Sequence, residues 1–162
     1  MTMSTRIALM HAGRIEQLDT PRRMYEFPVT RYAAQFIGTV NLFNATVQRQ
    51  DQDLVYLHSD ELGADCVVHH GQPLVPNMNV SVVVRPEKVQ LCQNNSGVNR
   101  VQGVIKEIAY LGDVSIYHAV LPSGFNIKFT QSNIQALAEQ PLDWEQQVAL
   151  SWSPQSCGIL TQ

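Results

Sequence analysis

The chain has 162 residues, 44% of them hydrophobic, 15% charged, with a formal net charge of −3. That is enough apolar material for one folded core with an appendage, and a net acidic chain argues against binding a nucleic-acid backbone, which needs clustered Lys and Arg. No apolar run approaches the roughly 20 residues that span a bilayer and no signal-peptide pattern precedes the fold, so a cytoplasmic location is expected; the widely spaced Cys66, Cys92 and Cys157 fit reduced thiols better than a disulfide framework.

Charge and texture change together at Gly38. Up to that point five Arg face three acids (Glu16, Asp19, Glu26), and beyond it six basic residues face eleven acids. In the first stretch Ile7 and Leu9 alternate with small or polar residues, Gly13 supplies a turn and Ile15-Glu16-Gln17 returns, which predicts a hairpin. Thr20 caps a helix whose first position is Pro21. A second short helix is expected from Thr30 to Gly38, with Tyr32, Ala33, Phe36 and Ile37 as its apolar face.

After Gly38 the pattern has the period of short strands. Phe43, Ala45 and Val47 alternate with Leu42, Asn44 and Thr46, Leu54-Val55-Tyr56-Leu57 follows the Asp51-Gln52-Asp53 turn, and Cys66-Val67-Val68 follows Gly63, together a β-meander. The Val-rich Asn79 to Val84 should end, or reach a sheet edge, at Arg85-Pro86, because proline lacks the donor a central strand uses. Val104 to Leu111 also fits a helical stripe, but Gly103 and Gly112 confine it to about two helical turns, and the alternation of Val114 to Val120 favours a hairpin around Gly112-Asp113. Phe125, Ile127 and Phe129 continue the alternation, Ser132 to Glu139 is the one short helix expected among the strands, and Val148, Leu150 and Trp152 form one face of a late strand before a last one at Gly158 to Leu160.

Residues Arg6 to Gly38, with the hairpin and the Thr20-Pro21 helix start, resemble the last segment of an ATP-binding-cassette (ABC) importer ATPase, with Asp19 where Gly commonly precedes Thr-Pro. Val84-Arg85-Pro86-Glu87-Lys88-Val89, Gly103-Val104-Ile105, Tyr110-Leu111-Gly112-Asp113, and Trp144 with Val148 to Trp152 resemble the TOBE domain appended to such ATPases. The resemblance is nearest to polyamine (putrescine or spermidine) importers, through Asn41-Leu42-Phe43-Asn44 and Leu150-Ser151-Trp152. It implies a mainly β chain: an oligonucleotide/oligosaccharide-binding-like (OB-like) barrel over 39–162, preceded by a hairpin and helices at 1–38 left from an ATPase domain that begins upstream. It also implies a regulatory, subunit-associating role, with a second ATPase copy and the membrane subunits as partners at the inner face of the membrane and no nucleic acid. The chain carries no G-x-x-x-x-G-K-[ST] loop, so it is expected to be non-catalytic and without a cofactor, ATP and Mg belonging to the complete subunit. The alternatives are the same architecture in an iron, sulfate or sugar importer, or a free-standing OB-like module binding small ligands or oligonucleotides.

Several residues carry competing chemical readings. Arg85 and Glu87 form either an anion clamp or, preferably, a strand end in which they pair locally or meet a neighbouring strand. Asp60 and Glu61, with Asp65 close behind, read most simply as a solvated turn, and as acids able to attract a polyamine cation. Trp144 and Trp152 read as core, with a cation cage as the sharper alternative. His69-His70 cannot both chelate one ion from a strand, because adjacent side chains point to opposite faces. Tyr117 and His118 read as a packed tyrosine and a surface histidine rather than an acid–base pair. No catalytic or metal residue is assigned; the candidate ligand residues are Arg85, Glu87, Asp60, Glu61, Asp65 and Trp144.

Overall fold

The computed structural model describes residues 3–92, 97–136 and 141–161. Strands β1 (Ile7–His11) and β2 (Arg14–Asp19) form the expected antiparallel hairpin, turning through Ala12 and Gly13, both at positive φ as a two-residue hairpin turn requires. Helix α1 (Pro21–Glu26) is capped by the Thr20 hydroxyl, which accepts from the Arg23 N–H; α2 (Arg31–Phe36) is capped by Thr30, which accepts from Ala33. Leu9, Met24 and Ala33 are buried together, with Ile7, Tyr32 and Ile37 around them. The expected apolar face of α2 needs correction: Ala33 and Ala34 are fully buried, while Phe36 is 64% exposed. Ala33 meets the hairpin and α1, Ala34 meets Val83 and Leu160 beyond, and a six-residue helix wedged between two surfaces needs methyl-sized contacts on both.

The remainder is a duplicated β architecture. Repeat 1 comprises β3 (Asn41–Asp51), β4 (Leu54–Ser59), β5 (Ala64–His69), β6 (Asn79–Val84), a 3₁₀ turn at Pro86–Lys88 and β7 (Gln90–Leu91). Repeat 2 comprises β8 (Asn99–Tyr110), β9 (Val114–Val120), β10 (Asn126–Ser132), helix α3 (Asn133–Ala136), β11 (Gln147–Trp152), a 3₁₀ turn at Pro154–Ser156 and β12 (Cys157–Leu160). The two sheets have orders β12-β6-β3-β4-β5 and β7-β11-β8-β9-β10. Each repeat therefore gives its last strand to the other's sheet, β7 pairing with β11 and β12 with β6. Both long first strands carry a bulge at the same place, between Val47 and Arg49 in β3 and between Ile105 and Glu107 in β8, which bends the strand around the core.

Period-two alternation buries one face of each strand. Phe43, Val47, Val55, Leu57, Val68 and Val82 from one sheet meet Ile105, Ala119, Ile127, Phe129 and Leu150 from the other in a shared core. Fully burying one such side chain is worth about 1.5–3 kcal/mol. Two asparagines tie the sheets together at equivalent positions. Asn41 donates to the Lys128 carbonyl at 2.7 Å and accepts from its N–H at 2.7 Å, while Asn99 does the same to Val67 at 2.8 and 2.6 Å. Each asparagine thus satisfies the backbone of the other repeat's third strand, which would otherwise be an open edge.

The hairpin reading of Val104 to Val120 holds, since β8 runs unbroken to Tyr110 and turns at Gly112, whose φ is +95°. The valine strand does end at Arg85-Pro86, although β6 lies inside its sheet, between β12 and β3. Of the helix expected at Ser132 to Glu139, Asn133–Ala136 is formed, and 137–139 lie outside the described residues.

Candidate functional site

Arg85 is the first residue after β6 and the N-cap of the 3₁₀ turn, so its side chain leaves the sheet toward the N-terminal segment. It is 7% exposed. One guanidinium nitrogen, Nη1, donates to the carbonyls of Ala34, Gly38 and Thr39 at 3.1–3.2 Å, and Nη2 donates to the Tyr25 carbonyl at 3.0 Å. The guanidinium carbon lies 4.2 Å from the centre of the Tyr25 ring, a cation–π contact. Glu87 accepts a hydrogen bond from the Tyr25 hydroxyl; burial, reinforced by that carboxylate, pushes the phenol up to about 12. The preferred local Arg85–Glu87 pairing is therefore corrected: the two side chains engage opposite ends of Tyr25. Arg85 joins α1, α2 and the chain after α2 to repeat 1, using the planar fork that distinguishes arginine from lysine.

The three acids gather elsewhere, on the outer face of the first sheet. A cavity of about 570 Å3 there is lined by Arg31, Asn44, His58, Asp60, Glu61 and Ser81 among others. Arg31 donates to Asn44 Oδ1 at 2.8 Å and to Ser81 Oγ at 3.0 Å. Glu61 accepts from the Asn44 N–H at 2.9 Å and from its side-chain amide at 2.8 Å. His58 holds Asp65 at 2.6 Å through Nδ1 and Asp60 at 3.3 Å through Nε2, and the Asp65 hydrogen bond, ahead of Asp60, raises the imidazole above its ordinary range. The supposed solvated turn is only partly so, for Ser59 is fully buried, its hydroxyl donating to the Asn44 carbonyl. Asp60 and Asp65 are already engaged by His58 and Glu61 by Asn44, so a cation binding there competes with these partners.

Trp144 is 55% exposed, which corrects its reading as core, whereas Trp152 is 4% exposed. They flank the two ends of β11 and form no cage. Arg85 with Glu87, the trio Asp60, Glu61 and Asp65, and Trp144 are thus three separate places. Tyr117 is buried and stacked on Phe129, with ring centres 5.0 Å apart; His118 is half-buried, 3.5 Å from Glu107. None of the three cysteines is in a disulfide, and burial pushes the Cys66 and Cys157 thiols up to about 12, far from reactive thiolates. Among the described residues no cluster of three or more His, Cys, Asp or Glu is placed to hold a metal ion, and no helix is long and apolar enough to cross a membrane. The tying pair Asn41 and Asn99, the ring of Tyr25 and the Arg31–Asn44–Ser81 contact were not singled out from sequence. The recurrence of an asparagine before a long alternating strand, at Asn41-Leu42-Phe43 and Asn99-Arg100-Val101, was a readable sign of the first.

Residues 82–160 match the family described as the TOBE domain, a span from within β6 to the end of β12. The molybdate-bound crystal structure of the cytoplasmic molybdate-binding protein ModG superposes with a TM-score of 0.62 over 75% of this chain and 96% of ModG, at 19% identity, a likeness of fold. The architecture is therefore that of a TOBE, OB-like β protein.

Over 99% of its length the chain is 39% identical to the putrescine transport ATP-binding protein PotG of Escherichia coli (strain K12), and over 99% it is 36% identical to the spermidine/putrescine import ATP-binding protein PotA of Thermobifida fusca (strain YX). It spans 43% and 41% of those relatives. The chain thus carries a TOBE domain and is similar over nearly its whole length to the C-terminal part of the ATP-binding proteins of polyamine ABC importers.

Proposed function

We propose that this chain serves as the regulatory and subunit-association end of the ATP-binding subunit of a putrescine/spermidine importer, non-catalytic by itself, with ATP and Mg held by the complete subunit. Its partners are a second copy of that subunit and the importer's membrane subunits, at the cytoplasmic side of the membrane. The observation that supports this most directly is the N-terminal hairpin. Its inner face covers Leu9, while Met10, Ile15 and Leu18 on the outer face are 60%, 60% and 48% exposed, next to Phe27 at 62% and Phe36 at 64%. A two-stranded hairpin apolar on both faces is built to be covered on both. Whatever covers it is rigidly connected, through Arg85 and α2, to the repeats, and a body gripped in this way can bias two states of a moving assembly if it contacts them differently.

The test is uptake of radiolabelled putrescine by the source cells, with the gene carrying Arg85→Ala and with the gene disrupted, after checking by immunoblot that the protein persists. Loss of uptake on disruption and a reduced rate with Arg85→Ala are expected. Unchanged putrescine and spermidine uptake on disruption overturns the polyamine reading, and uptake lost on disruption but untouched by Arg85→Ala overturns the coupling role.

A further inference from the structure

Both repeats bring the N–H of the fourth residue of their first strand to the mouth of the next hairpin, and they treat it in opposite ways. In repeat 1 that residue is Asn44. It sits opposite Ser81 of β6, while on its other edge the ladder with β4 begins only at Thr46–His58. Glu61, from the β4–β5 turn, closes the gap with one carboxylate oxygen on the Asn44 N–H and the other on the Asn44 amide. Repeat 1 thus builds a two-point carboxylate receptor and fills it from its own chain.

In repeat 2 the corresponding residue is Gln102, opposite Ala149 of β11, and the ladder with β9 likewise begins only at Val104–Val120. Gln102 carries the same amide one methylene further out. The β9–β10 turn, Leu121-Pro122-Ser123-Gly124, supplies no acid, and the Ser123 hydroxyl is spent on the Glu61 carbonyl. Both repeats have a cavity at this place, but the first, of about 570 Å3, holds the Glu61 carboxylate on Asn44, whereas the second, of about 450 Å3, which Gln102 shares with Val104, Val120, Leu121 and Val148, is lined by no acid; beside it lies a hollow of about 410 Å3 lined by Gln102, Arg100 and Ser123. The floor also differs in kind, for Thr46 and His58 of the first repeat are replaced by Val104 and Val120.

We propose that this cavity binds a small carboxylate with an apolar body. The carboxylate takes the N–H and the amide of Gln102, as Glu61 takes those of Asn44; the apolar body lies on Val104, Val120 and Leu121. An ionised acceptor makes stronger hydrogen bonds than a neutral one of the same shape, so the site discriminates a carboxylate from an alcohol.

The experiment is an amide-resolved NMR titration of the whole chain with hexanoate, with hexan-1-ol and sulfate as comparisons. Hexanoate should shift the Gln102 backbone and side-chain amides saturably, with a Kd in the millimolar range or tighter, and hexan-1-ol should bind at least about tenfold more weakly. Ser123→Glu, which carries a carboxylate into the turn as repeat 1 does, should abolish hexanoate saturation and raise Tm, and in Glu61→Ala acetate should shift the Asn44 amides that Glu61 had held. Absence of a saturable shift at Gln102, equal binding of hexan-1-ol or sulfate, or undiminished hexanoate binding by a folded Ser123→Glu variant overturns the proposal; the comparison of probes on the unaltered chain decides it even where a variant fails to fold.

Discussion

Repeats 1 and 2 share strand order, bulge position, a tying asparagine and an exchanged last strand, yet the first carries the N-terminal segment and the second does not. The difference lies in outward-facing positions. On the first sheet Leu42, Val83 and Leu160 make an apolar seat for Ala34 of α2. By strand pairing the corresponding positions on the second sheet are Arg100, Ser151 and Cys92, a polar set. After the fourth strand Arg85 reaches into the N-terminal segment, whereas its counterpart Ser153 turns back to Ser156 at 2.7 Å. Inward residues maintain one backbone design twice, and a handful of outward ones decide which copy is docked and which remains open.

The comparison breaks most decisively at Arg85. Arg85→Ala strips four carbonyls, one buried and three part-buried, of their donor and should cost about 3 kcal/mol in urea unfolding, while Ser153→Ala at the matching place should stay within about 0.5 kcal/mol; similar losses would mean that the two turns do equivalent work. Arg85→Lys should recover less than half of the loss, since an ammonium cannot span these acceptors while lying over the face of the Tyr25 ring.

Next come the asparagines, 2% and 0% exposed. Asn41→Ala and Asn99→Ala should each cost about 2 kcal/mol, because each leaves a backbone N–H and C=O of the facing strand unpaired. Unequal losses measured under the same conditions would show that the two sheets are not closed in the same manner. A smaller effect is expected from Ala34→Leu, which overpacks the seat of α2 and should cost about 1–2 kcal/mol. Its signature should be faster proteolytic cleavage between Thr20 and Thr39, with the repeats remaining intact.

The subtlest test is electrostatic. The folded pKa of His58 lies above its unfolded value, so its contribution to stability is fully present below the unfolded pKa near 6.5 and is lost as pH rises through the folded one. Asp65→Asn should bring the imidazole titration, followed by NMR, back toward that ordinary value and flatten this pH dependence; Val120, at the matching position of the second repeat, offers no such titration.

Much of the fold was legible because alternation is a local signal. The strand alternations at Phe43-Ala45-Val47, Ile127-Phe129 and Val148-Leu150-Trp152 could be read directly, and each buries the face expected. The helix cap at Thr20 and the helix start at Thr30 were equally plain. The site was less legible. Asp60, Glu61 and Asp65 were singled out from their crowding in sequence, but their partners Asn44 and His58 come from β3 and β4. Arg85 was noticed beside its proline, yet its true partners, Tyr25 and Ala34, lie on helices that precede the sheets, and no local pattern couples a strand end to a helix carbonyl. Trp144 was misjudged because a large aromatic is usually buried, and only the position of the turn before β11 leaves it in solvent.

By itself the sequence determined the β character, the hairpin and helix pair at the front, the turns at Gly13, Gly63, Gly112 and Gly124, and the resemblance to importer ATPases, since all of these rest on short-range periodicity, backbone preference or motif. Tertiary structure alone decided that the strands form two copies of one design, that they exchange their last strands, and that of two equivalent cavities one holds the chain's own carboxylate and the other is lined by none. These outcomes depend on which strand edges meet, and pairing between segments far apart in the chain is set by the summed burial and hydrogen bonding of the whole fold.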